Sequence, residues 1–201
     1  TRILLDICNL DHIAITVTSI ETFFVHIAMK RTSLLTLSAL FLALGLILPF
    51  LTAQIPEIGS MLLPMHLPVL LCGYVCGPVW GMVTGAVTPL LRSWIFGMPV
   101  MVPMAVAMAF ELAAYGLFTG LFYRKLPKNN GGVYLSLVLA MVLGRGIYGL
   151  AMAAILGLTG GAYTWAAFVS GAFLEAIPGI VLQLVLIPLC ILALKRAKLL
   201  A

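Results

Sequence analysis

The stretch Val100–Tyr123, VMVPMAVAMAFELAAYGLFTGLFY, decides the fold: its 24 residues carry one charge, Glu111, and Arg124 and Lys125 follow at once. A run this long, apolar and nearly free of charge reads as a helix crossing a bilayer, helix 4 of the chain, and the basic pair that ends it marks an edge. A carboxylate inside such a run costs at least ~2.5–3.5 kcal/mol by insertion scales, so it has to face protein rather than lipid.

Further runs of the same kind lie on either side. Helix 1 is expected over about Thr32 to Phe50, followed by a long loop that carries Glu57. Helix 2 starts near His66 and is short, because Gly77-Pro78 makes a turn. Helix 3 runs from there to about Trp94. Helix 5 covers about Val133 to Leu156, and helix 6 about Tyr163 to Leu194, with Pro178 and Pro188 tolerated as kinks. The chain is 63% hydrophobic and 8% charged, where a soluble domain carries about a quarter charged residues. The fold class is therefore an all-α polytopic membrane protein, a bundle of six transmembrane helices.

Charge tests that count. From Met29 onward eight basic residues fall in three clusters, Lys30/Arg31, Arg124/Lys125/Lys128 and Lys195/Arg196/Lys198. Six spans put all three on one side, which the positive-inside rule makes cytoplasmic, with both termini there. Trp94, Phe96, Tyr163 and Trp165 then gather at the external face as interfacial anchors. Residues 1–28 hold Asp6, Asp11 and Glu21 and lack the basic start and small-residue cleavage site of a signal peptide. The expectation is that Met29 is the natural start, that residues 1–28 are upstream sequence or a poorly docked extension, and that residues 29–201 form the membrane domain.

Four charges remain inside the spans: Arg92, Glu111, Arg145 and Glu175. Glu111, Arg145 and Glu175 each lie about eleven or twelve residues from the external end of successive helices, which at 1.5 Å per residue is ~17 Å and close to mid-membrane. They form one expected polar cluster. Arg92 stands higher, near the external mouth, with His66 and the first loop. Arg145 could simply bridge the two carboxylates and hold helices 4, 5 and 6 together, or the cluster could floor a pocket open to the outside. His66 alone reads equally as a helix-start or interface residue.

Small residues give a second signal. Gly73, Gly77, Gly81 and Gly85 recur every four residues, and Ala39 and Ala43 form a further pair beside Gly45; such spacing lets helices approach closely. Because Gly77-Pro78 interrupts it, the glycine series is expected to serve two helix faces, for internal packing or for docking another membrane subunit. Cys72 and Cys76 share a helix face, but nothing completes a metal set with them, and buried thiols are the plainer reading. No phosphate-cradling Gly-Lys-Ser/Thr loop, Gly-x-Ser-x-Gly elbow or His-Glu-x-x-His helix is present. No ATP site, cofactor or resident metal is expected, and no convincing internal repeat suggests an inverted-repeat transporter.

Over about Met29 to Ala201 the chain resembles the substrate-binding S components of bacterial energy-coupling factor (ECF) vitamin transporters. Six helices, cytoplasmic termini, the long loop after helix 1 and the Ala39-x-x-x-Ala43 pair carry the resemblance. So do PMHLPVLLCG (64–73), TPLLR (88–92), FGMP (96–99) and MAFELAAYG (108–116). The resemblance implies a subunit that captures a vitamin or vitamin precursor from outside, in a pocket capped by loop 1 and built from helices 4 to 6. It further implies docking, through Ala39 and Ala43, on a shared membrane T subunit carried by two cytosolic ATPases. His66, Arg92, Glu111, Arg145 and Glu175 are the candidate substrate-binding residues.

Two interior arginines suit a carboxylate, since guanidinium pairs with it bidentately. Pantothenate is the first guess, with folate, niacin, lipoate, a queuosine precursor or a corrinoid open; if both glutamates neutralise Arg145, an amine-bearing ligand is open too. The competing classes are an intramembrane enzyme using the same charges for acid–base work and a non-catalytic membrane scaffold.

Overall fold

The computed structural model describes residues 31–52, 62–158, 164, 168–170 and 176–196. The extension over 1–28 with the start at Met29, the loop around Glu57, the aromatics Tyr163 and Trp165, and Glu175 all lie outside the described residues. The chain divides into two units, Thr1–Thr36 and Leu37–Ala201. In the first, residues 31–36 are helical, with Thr36 Oγ1 donating to the Thr32 carbonyl at 3.0 Å.

Six helices make up the described architecture: α1 (Arg31–Phe50), α2 (His66–Cys76), α3 (Pro78–Phe96), α4 (Val106–Lys125), α5 (Asn130–Leu158) and α6 (Ile177–Arg196). Four apolar segments are long enough to cross a membrane: α1, α4 extended back to Met101, α5 and α6. The other two are tied by a tight turn. α2 has only 11 residues, about 16 Å of rise, roughly half a bilayer's hydrocarbon thickness. Gly77 then adopts φ 94°, a conformation that glycine reaches without a Cβ penalty, and Pro78 opens α3 at a position where its missing N–H costs nothing.

The hairpin folds back so that Gly73 and Gly81 touch each other, and both face Gly116 of α4. A Cβ on either would stand 2.6 Å from the Gly116 carbonyl oxygen, and a Cβ on Gly120 2.5 Å from the Pro78 nitrogen. The glycine series thus serves two helix faces, Gly73 on α2 and Gly81 and Gly85 on α3, and both faces pack on α4 in one three-helix seam. With lipid as apolar as leucine, such close packing is what holds helices together in a bilayer. Cys72 Sγ lies 3.5 Å from Thr84 Oγ1 across the same hairpin.

Boundaries shift where side chains and prolines intervene. A wide turn over Met101–Ala105, with Val102 extended (φ −122°, ψ 129°), precedes α4, which therefore starts six residues later than Val100. Asn129 Oδ1 accepts from the Gly132 N–H at 2.7 Å, capping α5 and starting it three residues before Val133. Pro178 sits in the first turn of the described α6, and Pro188 lies inside it.

The core gathers Leu70 and Tyr74 from α2, Tyr115 and Tyr123 from α4, Val133, Leu137 and Met141 from α5, and Ile187 and Ile191 from α6. Tyr74 donates to the Val133 carbonyl (3.1 Å) and lies 2.8 Å from Ser136 Oγ. Polarity is inverted relative to a soluble protein. Val79, Phe110, Val142, Leu150, Val185 and Leu189 are exposed, while His66, Arg92, Glu111, Arg145 and Gln183 are buried. Apolar atoms outside and ionisable groups inside describe a bundle solvated by lipid.

Candidate functional site

Glu111 stands in the second turn of α4, with the Gly116 seam on one side and α5 on the other. Gly144 of α5 packs directly on the Tyr115 ring, which draws α5 close enough for the next residue, Arg145, to reach across. Arg145 Nη1 lies 3.0 Å from Glu111 Oε1. The other carboxylate oxygen, Oε2, faces His66 Nε2 at 3.6 Å, too far for a hydrogen bond. The His66 ring meets Tyr115 edge-on at 5.4 Å between centroids. All four side chains are at least nine-tenths buried.

The short α2 explains how His66 comes here. Its N-terminus starts level with Glu111, so the residue expected near the entrance belongs to the central cluster. The expected triad of Glu111, Arg145 and Glu175 is therefore seen as Glu111 with Arg145 and His66, Glu175 lying outside the described residues.

What distinguishes this cluster is unused hydrogen-bonding capacity. Neither ring nitrogen of His66 and neither Nε nor Nη2 of Arg145 has a hydrogen-bond partner among the described residues; nor do the two amide atoms of Gln183 on α6. Buried polar groups are ordinarily satisfied, and in hydrocarbon no bulk water stands in. Nε and Nη2 are moreover the adjacent N–H groups of one guanidinium edge, the pair that grips a carboxylate with two parallel bonds.

Arg92 is placed differently. Its Nη1 donates to the Leu46 carbonyl of α1 at 2.8 Å, and its guanidinium lies over the rings of Phe50 (5.3 Å) and Phe96 (5.5 Å). Those two rings meet edge-on at 5.0 Å. A Cβ on Gly45 would stand 2.8 Å from Thr88 Cγ2, so Thr88 and Arg92 together fasten the end of α1 to α3. Ala39 is exposed and Ala43 half-buried, beside exposed Leu35, Leu40, Leu44 and Ile47.

Tyr115 and Gln183 were not singled out from sequence. Gln183 had a signal: it is the one uncharged polar side chain in the apolar run over 177–194, where interhelical hydrogen bonding is the usual use of such a residue. Tyr115 carries no such signal, since an aromatic residue is ordinary in an apolar membrane helix. Among the described residues no three His, Cys, Asp or Glu side chains gather to hold a metal.

A model of the family described as "ECF transporter, substrate-specific component" matches residues 33–191, most of the chain. No curated protein and no solved structure matches it significantly.

Proposed function

Since the chain belongs to the family of substrate-specific components of ECF transporters, it is a multi-pass membrane binding subunit and not an enzyme, and we propose that Glu111, Arg145 and His66 hold its substrate. The family implies work alongside a T subunit and ATPases. The proposed substrate is a carboxylate-bearing vitamin or vitamin precursor taken from outside, with pantothenate the first to test.

One observation carries this reading: Arg145 Nη1 forms an ion pair with Glu111, while its buried Nε and Nη2 have no hydrogen-bond partner among the described residues. Glu111 holds the guanidinium in place and offsets its charge, so the unused edge is preorganised for an incoming carboxylate. His66, on the far oxygen of Glu111, supplies a further polar contact. Arg92 marks the outer end of the bundle, where its side chain already serves α1. Glu175 remains a candidate from the sequence.

The T subunit is proposed to dock over Ala39 and Ala43, where small side chains on an exposed apolar face admit close approach. The proposed orientation puts both termini in the cytoplasm with the two ATPases. Lys195 Nζ donates to the Lys128 carbonyl at 2.8 Å, so two of the basic clusters share one end of the bundle, and the positive-inside rule assigns that end to the cytoplasm.

Purification from native membranes followed by mass spectrometry of the retained small molecule, with pantothenate binding measured on the purified chain, tests the substrate. Reconstitution with the T subunit and ATPases should give ATP-dependent uptake. Recovery of the complex with neither retained acid nor uptake would sink the reading.

The same ion pair favours one other use, as a bridge that only holds α4 to α5. Its observation is the short Glu111–Arg145 distance, and the variants discussed below separate the two.

A further inference from the structure

We propose that Gln183 is a ligand-recognising residue whose carboxamide reads an amide group of the bound molecule, while Arg145 takes its carboxylate. The inference rests on the carboxylate reading above and deepens it.

Gln183 is fully buried, and neither Oε1 nor Nε2 has a hydrogen-bond partner among the described residues. Its position on α6 aims it inward. Ile180, Leu184, Ile187 and Ile191 of α6 pack in one cluster with Leu70 of α2, Tyr115 of α4, and Leu137 and Met141 of α5. Gln183 falls within that stripe at helical spacing, on the face turned to the other helices.

Register sets its level. Lys195 lies with its Nζ 5.5 Å from the centre of the Tyr123 ring, so α4 and α6 reach the same end of the bundle together, running in the same direction. Counting back about twelve residues along each helix, ~18 Å, arrives at Glu111 on α4 and at Gln183 on α6. The carboxamide is therefore level with the Glu111–Arg145–His66 cluster.

The chemistry follows from what a carboxamide offers. It presents one acceptor and two donors in a plane, the complement of a group with C=O and N–H side by side. A carboxylate alone would leave its acceptor unmatched, and an aliphatic chain would leave all of it unmatched, both at a cost. A ligand carrying a carboxylate and an amide a few bonds apart satisfies Arg145 and Gln183 together. A site built to hydrogen-bond a polar group rejects analogues that lack it far more strongly than an apolar pocket rejects a missing methylene.

The test compares the full chain with its Gln183→Leu variant in detergent, using pantothenate and its ester analogue, in which the amide N–H is replaced by oxygen. If the amide waits for a ligand, an apolar side chain of similar shape leaves the ligand-free melting temperature unchanged or raised. Pantothenate affinity should then fall roughly tenfold or more. The unaltered chain should prefer the amide over the ester by a similar factor, and the Gln183→Leu chain should not distinguish them. Retained discrimination in the variant overturns the proposal, and so does a clear drop in its ligand-free melting temperature, which would mean that Gln183 is bonded within the bundle. If neither chain binds pantothenate, that substrate is wrong. The melting comparison then still decides for Gln183, together with mass spectrometry of the molecule each chain retains: loss from the variant alone supports the proposal, equal retention overturns it.

Discussion

Arg145 meets Glu111 with a single nitrogen, 3.0 Å from one carboxylate oxygen, although a guanidinium and a carboxylate can pair through two parallel bonds. Among the described residues one edge of the arginine carries no hydrogen bond, and the proposed binding role rests on that edge.

Arg145→Lys keeps a cation for Glu111 and removes the two-pronged edge. Pantothenate affinity is expected to fall about 10–100-fold, or ~1.4–2.7 kcal/mol, with a small change in ligand-free stability. Arg145→Ala instead leaves a buried carboxylate uncompensated, and should cost about 3–5 kcal/mol of stability. Isothermal titration and thermal melting in detergent read the two quantities. Normal binding by the lysine variant would return the pair to a helix bridge.

Glu111→Gln tests the sign of the ligand's charge. The glutamine oxygen can still receive Nη1 and hold the guanidinium in place, while one negative charge beside the acid is removed, so pantothenate affinity should hold or rise and the ligand-free protein should lose about 1–3 kcal/mol from the weakened charged contact. An amine-bearing ligand would need Glu111 and would lose binding altogether. The same titration distinguishes the outcomes.

Gly81→Ala should be poorly tolerated, because the new Cβ would stand 2.6 Å from the Gly116 carbonyl oxygen. Overpacking of this kind typically costs about 1–3 kcal/mol. Among the described residues nothing lies within 4 Å of a Cβ added at Gly146, so Gly146→Ala should be neutral or slightly stabilising through helix propensity. Melting curves of the two variants side by side check the contrast. Equal stability would remove the seam from the account of what holds α2, α3 and α4 together.

Ala39→Trp adds bulk to an exposed position on α1. The variant is expected to fold and to bind ligand as before, and to lose at least tenfold in recovery of the T subunit. Affinity purification with quantified subunits measures this. Undiminished recovery would place the docking face elsewhere.

Much of this bundle was legible because membrane helices announce themselves by length and missing charge. Gly77-Pro78 marked the hairpin, and Glu111 and Arg145 were rightly expected at one level, since depth in a helix is simple counting. His66 was misplaced for the complementary reason: depth cannot be counted from the end of a helix that starts midway. Arg92 and Arg145 look alike in sequence; only the structure shows Arg92 held by the Leu46 carbonyl and the Phe50 and Phe96 rings, and Arg145 with an edge that has no hydrogen-bond partner among the described residues. Gln183 is harder to see in the sequence because a neutral amide interrupts an apolar run far less than a charge does.

Glu111 and His66 are each 1% exposed and Arg145 5%, which has a kinetic consequence. If the proposed site is right, a ligand held among them would not arrive or depart by simple diffusion; the helices would have to part first. Association is then gated well below the encounter limit, and departure waits on the same opening. Half-lives, more than equilibrium constants, decide what such a protein carries through purification, and a slow off-rate would let it hold scarce cargo until the transporter is free.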